Sequence, residues 1–231
     1  MIHKYFNRIV IVGALTVAAI LPVAAQNRNA ATTAPAAGSA KVTSDWSDMY
    51  SADPAKRAYV VDVLGTIAEA GDKVIATRAF DLLSSLKGDP QASIRSSVAN
   101  SLGRAGLAHD YLAIPACGAL ESMKGDADIH VRGAALVNRS RLPGQSATEV
   151  EGLFSDLLTA SRDADLYTRN IAAMGLGNAG AKYVSIRGRA AERLAAMQDD
   201  STPTVKDTVK RALAQIDAAK AAAQKVPTLK P

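Results

Sequence analysis

Two columns of charged residues recur along the chain at a spacing that could pair a carboxylate with a guanidinium in each copy. Aspartates stand 37 residues apart, at Asp89, Asp126, Asp163 and Asp200. A basic residue follows each one after six positions, at Arg95, Arg132, Arg169 and Lys206, and Arg57 extends this series toward the N-terminus. A residue type that returns with a repeat is better explained by the repeat than by one active site. We therefore predict a structural ladder, in which each arginine binds an aspartate of an adjacent repeat.

The other residues with potential chemistry form no recognisable catalytic or metal-binding set. His109 and His130 are 21 residues apart, and no third ligand stands at a spacing typical of a metal site. Cys117 lies in an apolar segment, which favours a buried thiol. Residues 175–180 spell G-x-G-x-x-G but follow a helical pattern, whereas a dinucleotide-binding loop follows a strand. We predict no catalytic residue, no cofactor and no metal, although side chains distant in sequence could still assemble into a site.

The elements that must position the charged columns follow a helical period. Residues 73–87 carry apolar side chains at helical spacing, and a second apolar stripe covers 94–105. Between them, Asp89 is predicted to cap the second helix, with Pro90 at its first position. Residues 146–149 fit a capping box. No segment alternates between polar and apolar residues, so we predict an all-α fold, an α-solenoid of about five helix pairs.

The N-terminal quarter differs in composition from the repeats. Residues 1–25 combine basic residues, an apolar stretch and small residues before Gln26, which predicts a signal peptide, with an uncleaved membrane anchor as the alternative. Residues 26–43 are predicted to form a flexible linker, 44–222 the repeat domain and 223–231 a C-terminal tail. We therefore expect export to the periplasm or the extracellular space, without stable membrane insertion after cleavage.

The charge balance argues against nucleic acid as a partner. The chain has 27 basic and 22 acidic residues. Two of the basic residues and none of the acidic ones lie in the predicted signal peptide, which leaves 25 against 22 and a net charge of +3. A nucleic-acid-binding domain is expected to concentrate a basic patch instead. Hydrophobic residues make up 48% and aromatics only 4%, which suits closely packed helices better than a sheet.

The repeated unit consists of an aspartate, then a hydrophobic residue and an arginine, followed by small apolar residues and Leu-Gly. This unit resembles the bacterial HEAT or HEAT-like repeat, including the PBS-lyase type. The resemblance covers about residues 54–216. The third unit departs from it, because Arg139 and Ser140 replace the Leu-Gly pair that other units have at residues 64–65, 102–103 and 176–177. The resemblance implies a solenoid whose second helices line a concave surface. It implies little about function, since such repeats serve scaffolds, adaptors and enzyme subunits, among them bilin lyases.

Side chains that recur on the second helices would face a partner on that concave surface. Around the apolar Val137 and Met174 stand three arginines and an asparagine, at Arg104, Arg139, Arg141 and Asn178. An apolar centre with an arginine rim is typical of a protein-binding patch. Alternatively, the helix phase differs by one residue and both apolar side chains belong to the core. We predict a monomeric, non-catalytic scaffold or adaptor that binds a protein partner, with a bilin-lyase-like enzyme subunit or a structural envelope component as alternatives.

Overall fold

The computed structural model describes residues 46–224, so the predicted signal peptide and linker lie outside it. A short 3-10 helix, Trp46–Tyr50, comes first, and a 3-10 turn, Leu86–Gly88, extends the second α-helix. Nine α-helices lie within the described residues: α1 (Pro54–Ala70), α2 (Lys73–Ser85), α3 (Ala92–Ala108), α4 (Asp110–Glu121), α5 (Ile129–Arg139), α6 (Ala147–Ala160), α7 (Leu166–Lys182), α8 (Val184–Ala195) and α9 (Pro203–Gln224). No strand occurs between residues 46 and 224, and the all-α prediction is confirmed. None of the helices in this range is both long and apolar enough to cross a bilayer.

The helices form two layers. The second helices of the units are α1, α3, α5, α7 and α9, and each of these packs against the next one along the chain. The first helices, α2, α4, α6 and α8, pack mainly on second helices and contact one another little. Four complete helix pairs therefore follow α1, which has the 3-10 helix beside it in place of a first helix. This arrangement confirms the predicted solenoid.

Local sequence sets where the helices begin. Four helix N-termini are capped by aspartates whose side chains accept hydrogen bonds from backbone N–H groups of the first turn, namely Asp53, Asp72, Asp128 and Asp165. The predicted capping box is confirmed, with Ser146 and Glu149 bonded to each other's backbone N–H groups. The predicted cap by Asp89 is wrong. Its carboxylate accepts the N–H of Gln91 at 2.8 Å in the preceding turn, so α3 begins later, at Ala92.

Glycines permit the close approach of successive second helices. A Cβ atom added at Gly103 would lie 2.5 Å from Oδ1 of Asn138, and one at Gly177 would lie 2.7 Å from Cβ of Ala212. Contacts this short leave no room for a side chain at the glycine positions. The second helices thus form the more closely packed of the two layers, called the inner layer below. The resemblance to HEAT repeats implies that this layer is the concave one.

The apolar core is divided between the third and fourth units. One cluster of buried apolar side chains covers residues 49–142 and a second covers 150–216. Leucines are fully buried at equivalent positions of three second helices, Leu64, Leu102 and Leu176. The third unit has Arg139 at that position, which places a charge where the other units have apolar packing. The two halves of the stack are consequently joined by fewer apolar contacts than the units within each half.

Candidate functional site

Three junctions between neighbouring units carry an ion pair of the predicted kind. In each one, Nε and Nη2 of an arginine on a second helix donate to the two carboxylate oxygens of the aspartate that precedes the next second helix. The Nε to Oδ2 distance is 2.7 Å in every case, for Arg57 with Asp89, Arg95 with Asp126, and Arg169 with Asp200. Two parallel charge-assisted bonds make this a strong and geometrically specific contact.

The same arginines also donate hydrogen bonds to the loop that precedes their own second helix. Nη1 of Arg95 donates to the carbonyl oxygens of Asp89 and Pro90, at 2.7 and 3.3 Å. The arginines of the other units donate in the same way to the loops before their own helices. On the acceptor side, Oδ1 of Asp126 also receives the N–H of Asp128 at 2.9 Å. A paired arginine therefore connects two consecutive loops and sets the spacing between their units.

The ion pairs hold their aspartates in the charged form. Hydrogen bonds from Arg169 lower the pKa of Asp200 to about 2, against the opposing effect of burial. The guanidinium of Arg57 likewise lowers the pKa of Asp89. The Asp89 side chain is only 2% exposed. A carboxylate this deeply buried requires a cationic partner, so the contact belongs to the structure of the stack.

The junction between the third and fourth units lacks the ion pair, which corrects the predicted ladder at Arg132 and Asp163. Within the described residues, the Arg132 side chain donates only through Nη1, to the carbonyl oxygens of Asp126 and Ala127. Asp163 is exposed, and its Oδ1 accepts the N–H of Asp165 at 2.8 Å. Arg132 and Asp163 both line a cavity of about 400 Å³ instead of contacting each other.

An aromatic ring occupies the space between the helices at this junction. Tyr167 stands near the start of α7, at the position that holds Ser93 in the second unit and Thr204 in the fifth. Its ring packs against His130 of α5, with the ring centroids 4.6 Å apart. A Cβ atom added at Gly133 would lie 2.9 Å from the same ring, which therefore rests directly on the α5 backbone. The bulk of the tyrosine separates the two helices and accounts for the open junction.

The predicted binding patch lies on the inner layer, and its members differ in exposure. Arg104, Arg141 and Met174 are exposed, with Met174 at 41%, whereas Val137 is half-buried. Met174 is thus a surface residue, and the alternative that places it in the core does not hold. Arg104 lies 3.4 Å from the carboxylate of Glu69. The guanidinium of Arg141 has no acceptor among residues 46–224, which leaves its donors open to solvent.

Arg139 lies in the interior, which corrects its predicted place on the rim of the patch. Its side chain is 5% exposed and contacts the carboxylates of Glu121 and Asp156, the second at 3.0 Å. Nη2 also donates to the carbonyl oxygen of Glu149 at 3.1 Å. The hydrocarbon stem fills the core position of a leucine, while the charged head joins α4 to α6. The replacement of Leu-Gly in the third unit was the sequence signal of this difference.

The Asn178 side chain also forms hydrogen bonds to residues of neighbouring units. Its Nδ2 donates to Oγ of Ser140 at 3.2 Å, and its Oδ1 accepts Nε2 of Gln215 at 3.2 Å. One unit earlier, Nδ2 of Asn138 donates to Oδ1 of Asn100 at 2.8 Å. These amide contacts between second helices were not predicted. The recurrence of polar side chains at the repeat offset was the signal that could have revealed them.

The histidines and the cysteine occupy packing positions. His109 packs near Tyr111, and His130 packs against Tyr167. Cys117 is buried, and burial raises the pKa of its thiol, which disfavours the reactive thiolate. In the described part of the chain, no three His, Cys, Asp or Glu side chains are grouped closely enough to hold a metal ion.

Comparison with known proteins places this architecture in a class. No family model and no curated protein matches the sequence. An engineered protein solved by the Northeast Structural Genomics Consortium is similar, with a TM-score of 0.53 and 17% identity over 75% of this chain and 78% of that one. A designed armadillo repeat protein in complex with the peptide (KR)4 gives a TM-score of 0.52 and 16% identity over 79% of this chain and 91% of the other. Computationally designed armadillo repeat proteins for modular peptide recognition give 0.50 and 19%, over 79% and 87%. These likenesses show the fold, an α-solenoid of armadillo-like helical repeats.

Proposed function

We propose that the protein is an exported, non-catalytic scaffold or adaptor that binds a protein partner along the concave layer of second helices. The observation that carries the proposal is the exposed pair Arg141 and Met174 on that inner layer. Arg141 offers donors that no described residue uses, and Met174, exposed on α7 of the same layer, offers a flexible apolar contact. Arginine and methionine are both enriched where proteins contact one another.

The charges of the concave layer favour an acidic partner segment with apolar side chains. Arg104 and Arg141 both project from this layer, and the nearby Glu69 is exposed and offsets only Arg104. Opposite charges across an interface raise the association rate and exclude wrong partners. Two of the similar designed proteins are described as peptide-binding, one of them with the basic peptide (KR)4. This likeness in architecture supports peptide binding here, while the exposed arginines favour a partner of opposite charge to that peptide.

Export is the part of the proposal that rests on the sequence of residues 1–25. A cleaved signal would release a chain that begins at Gln26, into a compartment where only exported partners are available. N-terminal sequencing of the protein purified from the cell envelope or the medium tests this directly. A chain that still begins at Met1 and stays in the cytoplasm would contradict export, without affecting the binding proposal.

Site-specific photo-cross-linking tests the binding proposal. A photoreactive amino acid at position 141 or 174 reports on the concave layer, and one at Arg78 or Glu192, exposed on first helices, serves as the matched control. We expect one defined protein adduct from the two concave positions and none from the controls. Adducts of equal yield from both layers, or none from any position, would contradict a concave binding face.

A further inference from the structure

At the junction between α5 and α7, one edge of the Arg132 guanidinium donates no hydrogen bond to any described residue. In Arg57, Arg95 and Arg169, the Nε and Nη2 edge holds the carboxylate of the next unit. In Arg132 only Nη1 is engaged, and its Nε and Nη2 edge has no acceptor in the part of the chain that the structure describes. Because Arg132 is half-buried, the free edge has less access to water than a surface arginine would have.

This arginine lines the cavity of about 400 Å³ between the third and fourth units. Leu136 of α5 and Ile171 and Tyr167 of α7 form apolar walls, and Gly133 contributes bare backbone. The volume lies within the range of small-ligand pockets, which are typically apolar with a few well-placed polar groups. The cavity therefore offers a charged donor edge next to apolar walls.

The charged side chains that border the cavity within the described residues are Lys124, Arg132, Asp156 and Asp163. Lys124 and Asp156 offset each other's charge. Lys124 lies 2.5 Å from Glu121 and 3.4 Å from Asp156, so its charge is already offset. The other two are Arg132 and Asp163, which do not contact each other. Asp163 is exposed, so solvent weakens, but does not abolish, its repulsion toward an incoming anion. Among the described residues that border the cavity, Arg132 is consequently the one cation whose contacts leave donors open.

We propose that the cavity binds a carboxylate carried on an apolar body. The carboxylate takes the Nε and Nη2 edge of Arg132, and the apolar body packs against Leu136, Ile171 and Tyr167. The three closed junctions already contain this contact, because the same edge of Arg57, Arg95 and Arg169 binds an aspartate carboxylate at 2.7 Å. The site is separate from the concave patch and goes beyond the proposed binding of a protein partner. The carboxylate can come from an acidic residue of a peptide or from a free aliphatic acid.

Amide-proton NMR titration of the full-length protein separates these sources. The probes are acetyl-Asp-Leu-amide, its isosteric control acetyl-Asn-Leu-amide, and hexanoate. We expect shifts at the amides of Gly133 and Tyr167 with the carboxylate probes and not with the Asn peptide. Binding of the Asp peptide alone assigns the site to peptides, and binding of hexanoate alone assigns it to free acids. Equal binding of the Asp and Asn peptides, or no shift with any probe, would overturn the proposal.

Three variants locate the binding. Arg132→Gln should weaken the carboxylate probe at least about tenfold, because it removes a charge-assisted bidentate contact. Asp163→Asn should strengthen binding about two- to fivefold by removing a like charge from the rim. Arg78→Gln, at an exposed position on α2 outside both sites, should leave the affinity unchanged. If Arg132→Gln perturbs the fold in circular dichroism, Asp163→Asn still decides, because an unchanged or weaker affinity there contradicts the site.

Discussion

The ion-pair ladder predicts that the same substitution has very different costs in two units. Asp89→Ala removes a carboxylate that is 2% exposed and that accepts bonds from Nε and Nη2 of Arg57 and from the N–H of Gln91. Breaking a buried ion pair by deleting one partner costs about 3–5 kcal/mol, and we expect about 3 because Arg57 keeps a bond to the carbonyl of Ser51. Asp163→Ala is the matched control.

The control stands at the equivalent position of the fourth unit, where the carboxylate is exposed and no arginine between residues 46 and 224 binds it. Only the turn bond to the N–H of Asp165 is lost, at a cost of about 0.5–1 kcal/mol. Urea unfolding followed at 222 nm gives both values, with the slope checked for separate unfolding of the units. A chain of this size should lose about 6–12 °C in Tm for Asp89→Ala and no more than about 4 °C for Asp163→Ala. Equal losses would refute the structural role of the paired aspartates.

Three further perturbations follow from the same contacts. The pKa of Asp200 is lowered to about 2 in the folded state, so its stabilisation is complete above about pH 5 and is lost as the pH falls toward 2. The free energy of unfolding in urea should fall by up to about 1.5 kcal/mol between pH 6 and pH 2.5, less the reduction by solvent screening. Arg139→Leu should keep the stability within about 1 kcal/mol, because it restores the leucine of the other units, whereas Arg139→Ala should lose about 2–3 kcal/mol in thermal melts. Gly177→Ala should cost about 1–3 kcal/mol because its Cβ would lie 2.9 Å from Cα of Ala212, while Gly188→Ala, in open space within α8, should gain about 0.5–1 kcal/mol.

Each of these predictions has a result that contradicts it. The acid effect requires that Asp200→Asn flatten the pH profile, and a variant as acid-sensitive as the wild type would assign the loss to other groups. Equal melting temperatures for the Leu and Ala variants at position 139 would mean that the core there does not resemble the other units. A Gly188→Ala variant as damaged as Gly177→Ala would show that close helix approach is not what separates the two glycines.

The period of 37 residues made the fold predictable. Each unit has an apolar stripe at helical spacing and a loop that starts with aspartate, and three of the second helices carry a glycine where they approach the next one, at Gly65, Gly103 and Gly177. These signals are local and agree with one another, so the helix pairs and their stacking could be derived without a structure. The first helix of the first unit is the exception, because the 3-10 helix at Trp46–Tyr50 stands in its place.

The junction between the third and fourth units could not be predicted, because it depends on contacts across the repeat. The sequence pairs Arg132 with Asp163 by the same rule as the other units. Only the placement of the Tyr167 ring on Gly133 shows why that pair stays open. The sequence places Arg139 with Arg104 and Arg141 on the rim of the patch, whereas its burial depends on carboxylates from two other helices. Departures from a repeat are where single-sequence reasoning fails, and here they coincide with the cavity.

Distances between spin labels at equivalent positions test the stacked architecture most directly. Suitable labelling positions are the exposed residues Thr66, Arg141 and Gln215, which stand at equivalent positions of the first, third and fifth units. The native Cys117 is buried and therefore protected from labelling. Adjacent packed helices lie about 8–10 Å apart, so labels at 66 and 141 should be about 20 Å apart and those at 66 and 215 about 30–40 Å apart, after curvature. A 66–215 distance no longer than the 66–141 distance would contradict the solenoid.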